Sequence, residues 1–252
     1  MITMGRWTLD CSLADGARIG RLQFDGIDLL TRAPAAFRPP AGDYGDYELR
    51  PVYGYDDCFP TVDRTPDWPD HGELCWLAWE GSETECSVRS VRWPVSFHRR
   101  LDFGERTLTW SFRVTNRGDR ELPFLHVMHP LMPLDQVVSL ELPVPGVAER
   151  LLGVPRGQAE MLYLPDTAVG SFAMGLRAGL KLRVTYAPDL FPTLAIWWNN
   201  GGYPNEAGLR RCECAFEPAP GKTTRLSDGT TLAVEPGQSR SWQVVWEVTS
   251  CR

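Results

Sequence analysis

Histidine is scarce here, with four in 252 residues, and Lys and Arg together number 26 against 32 Asp and Glu. The resulting formal charge of −6 lacks the cationic excess that a sequence-independent grip on phosphate backbones or anionic lipid requires. Nucleic acid and membrane surfaces are therefore not expected partners. No apolar run approaches the roughly 20 residues that span a bilayer. The opening residues, Met1 to Trp7, lack the basic start and apolar stretch of a secretory signal, so a soluble, cytoplasmic protein is expected. The seven cysteines, Cys11, Cys58, Cys75, Cys86, Cys212, Cys214 and Cys251, are odd in number, scattered and without a C-x-x-C pair. Neither a disulfide framework nor a zinc knuckle is indicated, and reduced thiols are expected. Glycine-rich nucleotide loops and the G-x-S-x-G elbow are absent too, which removes the usual signatures of phosphoryl transfer and serine hydrolysis.

Capped amphipathic helix stripes are also missing, and what fills the chain is period-two alternation. In Thr107–Asn116, Leu108, Trp110, Phe112 and Val114 share one face, while Thr109, Ser111, Arg113 and Thr115 share the other. Leu180, Leu182, Val184 and Tyr186 form a similar ladder, as do Trp242, Val244, Trp246 and Val248. Turn chemistry separates such segments at Asn116 to Asp119, Pro143 to Gly146, Asn199 to Gly202 and Ser227 to Gly229. An all-β fold of many antiparallel strands follows, a large sandwich in one domain over residues 1–252. Most of the ten Trp belong to its core. The span Phe37–Trp68, with five prolines and no clean period, reads equally as a site-building loop or as a flap over a sheet edge.

Because His is the side chain that exchanges protons near neutrality, each of the four counts. His98, in an alternating segment, reads as a sheet-face residue. His126 and His129 are three apart and precede Pro130, which favours an extended conformation and opposite faces. Two His without a third ligand make a weak metal site. His71 sits in a turn between Asp70 and Glu73, and reads as a solvated histidine or as part of a site. In Arg211 to Pro218, Cys212, Cys214 and Phe216 fall on one side as core residues. Arg211, Glu213 and Glu217 fall on the other. Glu217, at a strand end, reads as a surface carboxylate or as a base aimed into a cleft.

Taken in order, these segments resemble the aldose 1-epimerase (galactose mutarotase-like) superfamily. Gly16 to Leu22 and Asp25 to Leu30 are similar to its opening hairpin, and Cys58-Phe59-Pro60 to its substrate-loop motif. His71-Gly72, with Trp79 eight residues after the histidine, resembles its H-G…W element. His129-Pro130 and Phe216-Glu217-Pro218 resemble its histidine and carboxylate sites. The resemblance implies an antiparallel β supersandwich that interconverts the α and β anomers of a free sugar. A base takes the proton of the anomeric hydroxyl while an acid protonates the ring oxygen, so one group is needed in each protonation state. It casts Glu217 as base, His129 as acid, His71 as a sugar contact and His126 as a fallback acid, with no cofactor and no metal.

The sugar-phosphate branch of the family carries two phosphate-binding arginines where this chain has Val52 and Cys75. The acidic loop with Asp43, Asp46, Glu48, Asp56 and Asp57 would repel a phosphate. A neutral hexose is therefore the expected substrate, with Arg50 and Asp57 in that loop as candidate contacts. Asp166 is the candidate for the family's substrate-binding aspartate, and Trp198 or Trp68 for a stacking aromatic. Glu217 and His129 should then line one cleft, far enough apart to bracket a pyranose ring. A monomer or homodimer is expected. The competing readings are a catalytically silent carbohydrate-binding protein of the same fold and a metal-dependent β-sandwich with His71, His126 or His129 converging on an ion.

Overall fold

The computed structural model describes residues 1–34, 47, 50–165, 170–204, 209–222, 224–229 and 231–250. The alternating ladders become the centre of an eight-stranded antiparallel sheet. Its order is Val137–Glu141, Ser171–Leu176, Leu180–Tyr186, Ser239–Ser250, Thr107–Asn116, Val95–Phe103, Glu85–Arg89 and Glu80–Gly81. Leu108, Trp110, Phe112 and Val114 are all buried, and Trp242, Val244, Trp246 and Val248 pack beside them from the neighbouring strand. At roughly 1.5–3 kcal/mol for each large apolar side chain taken out of water, this face drives closure of the sandwich.

A second layer faces it, made of a six-stranded and a four-stranded sheet. The six-stranded sheet includes Trp7–Ser12, Arg18–Phe24, Tyr55–Cys58 and Val127–Pro130; the four-stranded sheet includes Cys212–Ala219, Thr193–Asn200 and Gln158–Leu164. The two sheets meet where Val127–Pro130 runs alongside Cys212–Ala219. Aromatic contacts join the layers, among them Tyr55 with Trp110 (ring centroids 4.6 Å) and Phe172 with Phe216 (4.9 Å). Trp7, Trp110 and Trp246 are among the largest fully buried side chains, so most of their kind serve the core.

Three local expectations are corrected. The aperiodic Phe37–Trp68 span contains the strand Tyr55–Cys58, all four of whose residues are buried. Both of its faces are covered, so Tyr-Asp-Asp-Cys shows no hydrophobic alternation. Glu217 does not end its strand, because Pro218 continues it opposite Leu194. The short partner Met132–Pro133 reaches only Glu213 and Cys214; beyond it the strand has a ladder on one side, where proline is tolerated. Cys212 is exposed rather than a core residue, since it lies at the first, outermost position of the strand. One six-residue helix, Val147–Leu152, is present among the described residues, and none of their helices is long and apolar enough to cross a membrane.

Candidate active site

Register decides which side chains meet. On paired strands, residues directly opposite share a face. His129 stands opposite Asp56 and Val127 opposite Cys58. On the neighbouring sheet Glu217 stands opposite Ala195, Ala215 opposite Trp197, and Glu213 opposite Asn199. One face of this layer therefore carries Asp56, Cys58, His129, Glu217 and Trp197. The other turns Asp57, Met128, Phe216 and Trp198 into the sandwich. From the first face His129, Glu217 and Trp197 line a cleft of about 260 Å³, walled by Val52, Tyr163, Tyr203 and Arg211 among others, with Asp56 and Cys58 buried beneath it; the size suits one small ligand.

His71 reaches the rim of this cleft by an uncommon backbone route. Its φ is +61°, left-handed for a residue with a Cβ, and Gly72 follows at +73°. A Cβ on Gly72 would lie 2.0 Å from the Phe59 carbonyl oxygen, so only glycine lets the turn close against Cys58-Phe59-Pro60. The imidazole stacks on Tyr47 (centroids 3.8 Å, planes 12° apart) and lies 4.9 Å from that of His129.

Glu217 and His129 form the chemical centre. Glu217 Oε1 lies 3.7 Å from His129 Nε2, and both residues are buried. Burial pushes the Glu217 carboxyl up to about 8. Burial also pushes the His129 imidazole down to about 3, with His71 adding to the shift. Each group is thus driven toward its neutral form, so at neutral pH the pair holds one proton between them.

Behind the pair, Tyr47 donates its hydroxyl proton to Asp56 Oδ2 at 2.7 Å, and its oxygen lies 3.3 Å from His129 Nδ1. With the hydroxyl proton committed to Asp56, that oxygen accepts from Nδ1–H. The tautomer this sets leaves the Nε2 lone pair facing Glu217. Burial raises the Asp56 carboxyl, but Arg18 and Arg50, 3.6 and 3.5 Å away, hold it below the usual range.

Several expected contacts lie elsewhere. Arg50 is withdrawn beneath the cleft, bonded to Asp15 at 2.6 Å and paired with Asp56. Asp57 faces the interior, where it accepts from Arg99 at 2.6 Å and from Tyr55 at 2.5 Å. His126 sits beside it, 3.0 Å from Asp57 Oδ1 and packed on Phe112 and Trp242, so it is no substitute acid for the cleft. Trp198 is buried against Phe216; the half-buried Trp197 is the aromatic at the cleft, its indole N–H donating to Glu213 at 3.3 Å. Trp68 lines a separate groove with Trp93 and Arg92. His98 pairs with Glu85 on the sheet surface, as its segment suggested. Asp166, Asp43, Asp46 and Glu48 lie outside the described residues.

Tyr47, Arg211 and Glu213 also line the cleft, beyond the residues expected from the sequence. Arg211 and Glu213 are ion-paired at 2.9 Å. Their place was readable from two-residue periodicity with Glu217; Tyr47 sits in aperiodic sequence that gave no such signal.

Among solved structures the chain is similar to a protein from Synechocystis (TM-score 0.75, 19% identity), with 98% of this chain and 93% of that one covered. The fold is that of the galactose mutarotase-like proteins. A candidate aldose 1-epimerase from Escherichia coli K12 matches over 99% of this chain and 98% of its own, at TM-score 0.69 and 17% identity. A galactose mutarotase-like protein from Lactobacillus casei matches over 98% and 99%, at TM-score 0.67 and 13% identity. No family model and no curated protein matches at the level of sequence.

Proposed function

We propose that the protein is an aldose 1-epimerase-like isomerase acting on a neutral hexose. The observation carrying this reading is the Glu217–His129 pair, a carboxyl and an imidazole 3.7 Å apart that line one sugar-sized cleft. Mutarotation asks for removal of a proton from the anomeric hydroxyl and delivery of one to the ring oxygen. Both oxygens are bonded to the same carbon, so the two catalytic atoms need to straddle one centre. The separation of 3.7 Å is too short to bracket a pyranose ring, contrary to the expectation from the sequence; it lets the two atoms address the two oxygens on that one carbon.

In the reacting form Glu217 is the carboxylate base and His129 the imidazolium acid, reached from the neutral pair by moving its single proton across. Glu217 takes the hydroxyl proton as His129 Nε2 protonates the ring oxygen. The ring opens, the C1–C2 bond turns, and closure on the other face reverses both transfers. His71 at the rim and Trp197 on the floor are placed to meet hydroxyls and a sugar face. Val52 and the buried Cys75 present no charge to a phosphate, and Arg211 is already paired with Glu213.

The test is polarimetry or NMR of freshly dissolved α-anomers over a panel of neutral sugars. Glu217→Gln and His129→Asn should each lower kcat by roughly 10²–10⁴-fold, the usual worth of a positioned proton-transfer group. Background rates for every sugar, together with retained sugar binding, would favour a silent carbohydrate-binding protein. Catalysis of glucose 6-phosphate but not glucose would overturn the choice of neutral substrate.

A further inference from the structure

We infer that the floor of the cleft is also a binding site for a thiophilic divalent metal ion, zinc foremost, built from Cys58, His71 and His129 and closed by Glu217. The ligating atoms of Cys58, His71 and His129 all lie within 4.8 Å of one another. Glu217 adds an oxygen 3.7 Å from His129 Nε2. Zinc binds nitrogen at about 2.0–2.1 Å and sulfur at about 2.3 Å, so tetrahedral ligand atoms stand about 3.3–3.8 Å apart. The three side chains need to draw together by at most about 1.5 Å to reach that spacing. One thiolate, two imidazoles and one carboxylate make a four-ligand set of the kind that holds zinc.

The outer shell supports this assignment independently. Ligating histidines are usually oriented through their second nitrogen by a carboxylate or another acceptor. Here the Tyr47 oxygen lies 3.3 Å from His129 Nδ1, while His71 Nδ1 is buried without a hydrogen bond although Asp70 Oδ1 stands 3.1 Å away. His129 Nε2 is thereby left for a metal, and one ring nitrogen of His71 lies within reach of the same point. Proton transfer between Glu217 and His129 gives Cys58 no part, yet the strand register turns it toward the same face. On binding, the thiol proton and the proton of the Glu217–His129 pair pass to the buffer, and the ion keeps its charge. Because the ion occupies His129 Nε2 and Glu217, metal and sugar exclude one another. That clause rests on the proposed isomerase chemistry; the binding site itself does not.

The experiment is a titration of Co²⁺ into the chelator-treated, reduced full chain, read by absorption. One equivalent should give intense tetrahedral d–d bands and a thiolate-to-cobalt charge-transfer band in the near ultraviolet, both displaced by Zn²⁺. Cys58→Ser should abolish the charge-transfer band, while Cys212→Ser, which alters an exposed thiol, should keep it. His71→Gln should weaken Co²⁺ binding by at least about tenfold, and it decides the matter should Cys58→Ser fail to fold by circular dichroism. Absence of the band in the wild type, its persistence in folded Cys58→Ser, or unchanged affinity in His71→Gln would overturn the site. Mutarotation is not read in this titration. Cobalt binding without mutarotation would therefore retire only the enzymatic reading, and mutarotation without cobalt binding only the metal site.

Discussion

Glu217 Oε1 and His129 Nε2 face each other across 3.7 Å on the floor of the cleft, and burial disfavours the charged form of each. The pair therefore keeps one proton over a wide span of pH, and its position rather than its presence distinguishes base from acid.

Activity should follow that single proton. Above about pH 8 the pair is deprotonated and no acid remains; below about pH 3 it is doubly protonated and no base remains. Between pH 5 and 7 kcat/KM should be level, then fall about tenfold per unit above pH 8. A stopped polarimetric profile checks this. A rate that climbs up to pH 8 would mean that only fully deprotonated Glu217, without the shared proton, is competent.

Stability should respond over a lower span of pH. The Glu217 carboxyl, raised from 4.5 to about 8 in the folded protein, stays protonated where the unfolded chain has ionised. Its contribution is fully present below about pH 4.5 and is lost as pH rises toward about 8. Glu217→Gln removes this dependence. In urea melts the variant should match wild type near pH 5 and exceed it by about 1–4 kcal/mol at pH 8.

The two adjacent tryptophans should separate binding from folding. Trp198→Ala should cost about 3–5 kcal/mol, since it empties a core position. Trp197→Ala should leave the melting midpoint nearer to wild type and raise KM for the sugar. Equal effects on KM and stability from both variants would contradict the faces assigned here.

Asp57 should prove structural. It is fully enclosed with Arg99, and its removal strands a buried guanidinium. Asp57→Ala should destabilise by about 3–5 kcal/mol, measured by chemical denaturation. Its residual folded fraction should retain sugar affinity.

Tyr47 should act through His129. Tyr47→Phe removes the oxygen that receives Nδ1–H and should lower kcat by about tenfold with KM little changed. Nitrogen NMR of the His129 ring should show a changed tautomer balance, which simple loosening of the fold would not produce.

Strands were legible wherever one face is apolar and the other polar, as in Thr107–Asn116, because a half-buried sheet writes burial into every second residue. The same periodicity placed Glu213 and Glu217 together. The sequence by itself thus determined an all-β sandwich, and it marked Glu217, His129 and His71 as the residues to bring together. It could not place Tyr55–Cys58, whose four residues are buried on both faces and show no alternation. Nor could it say which of Trp197 and Trp198 meets the cleft, because alternation leaves the phase of a strand open until its partner's register is known. Only the tertiary structure decided that, and only it revealed the burial that drives both Glu217 and His129 toward their neutral forms. Exclusion of water depends on everything packed around a group, and no local stretch of sequence carries that information.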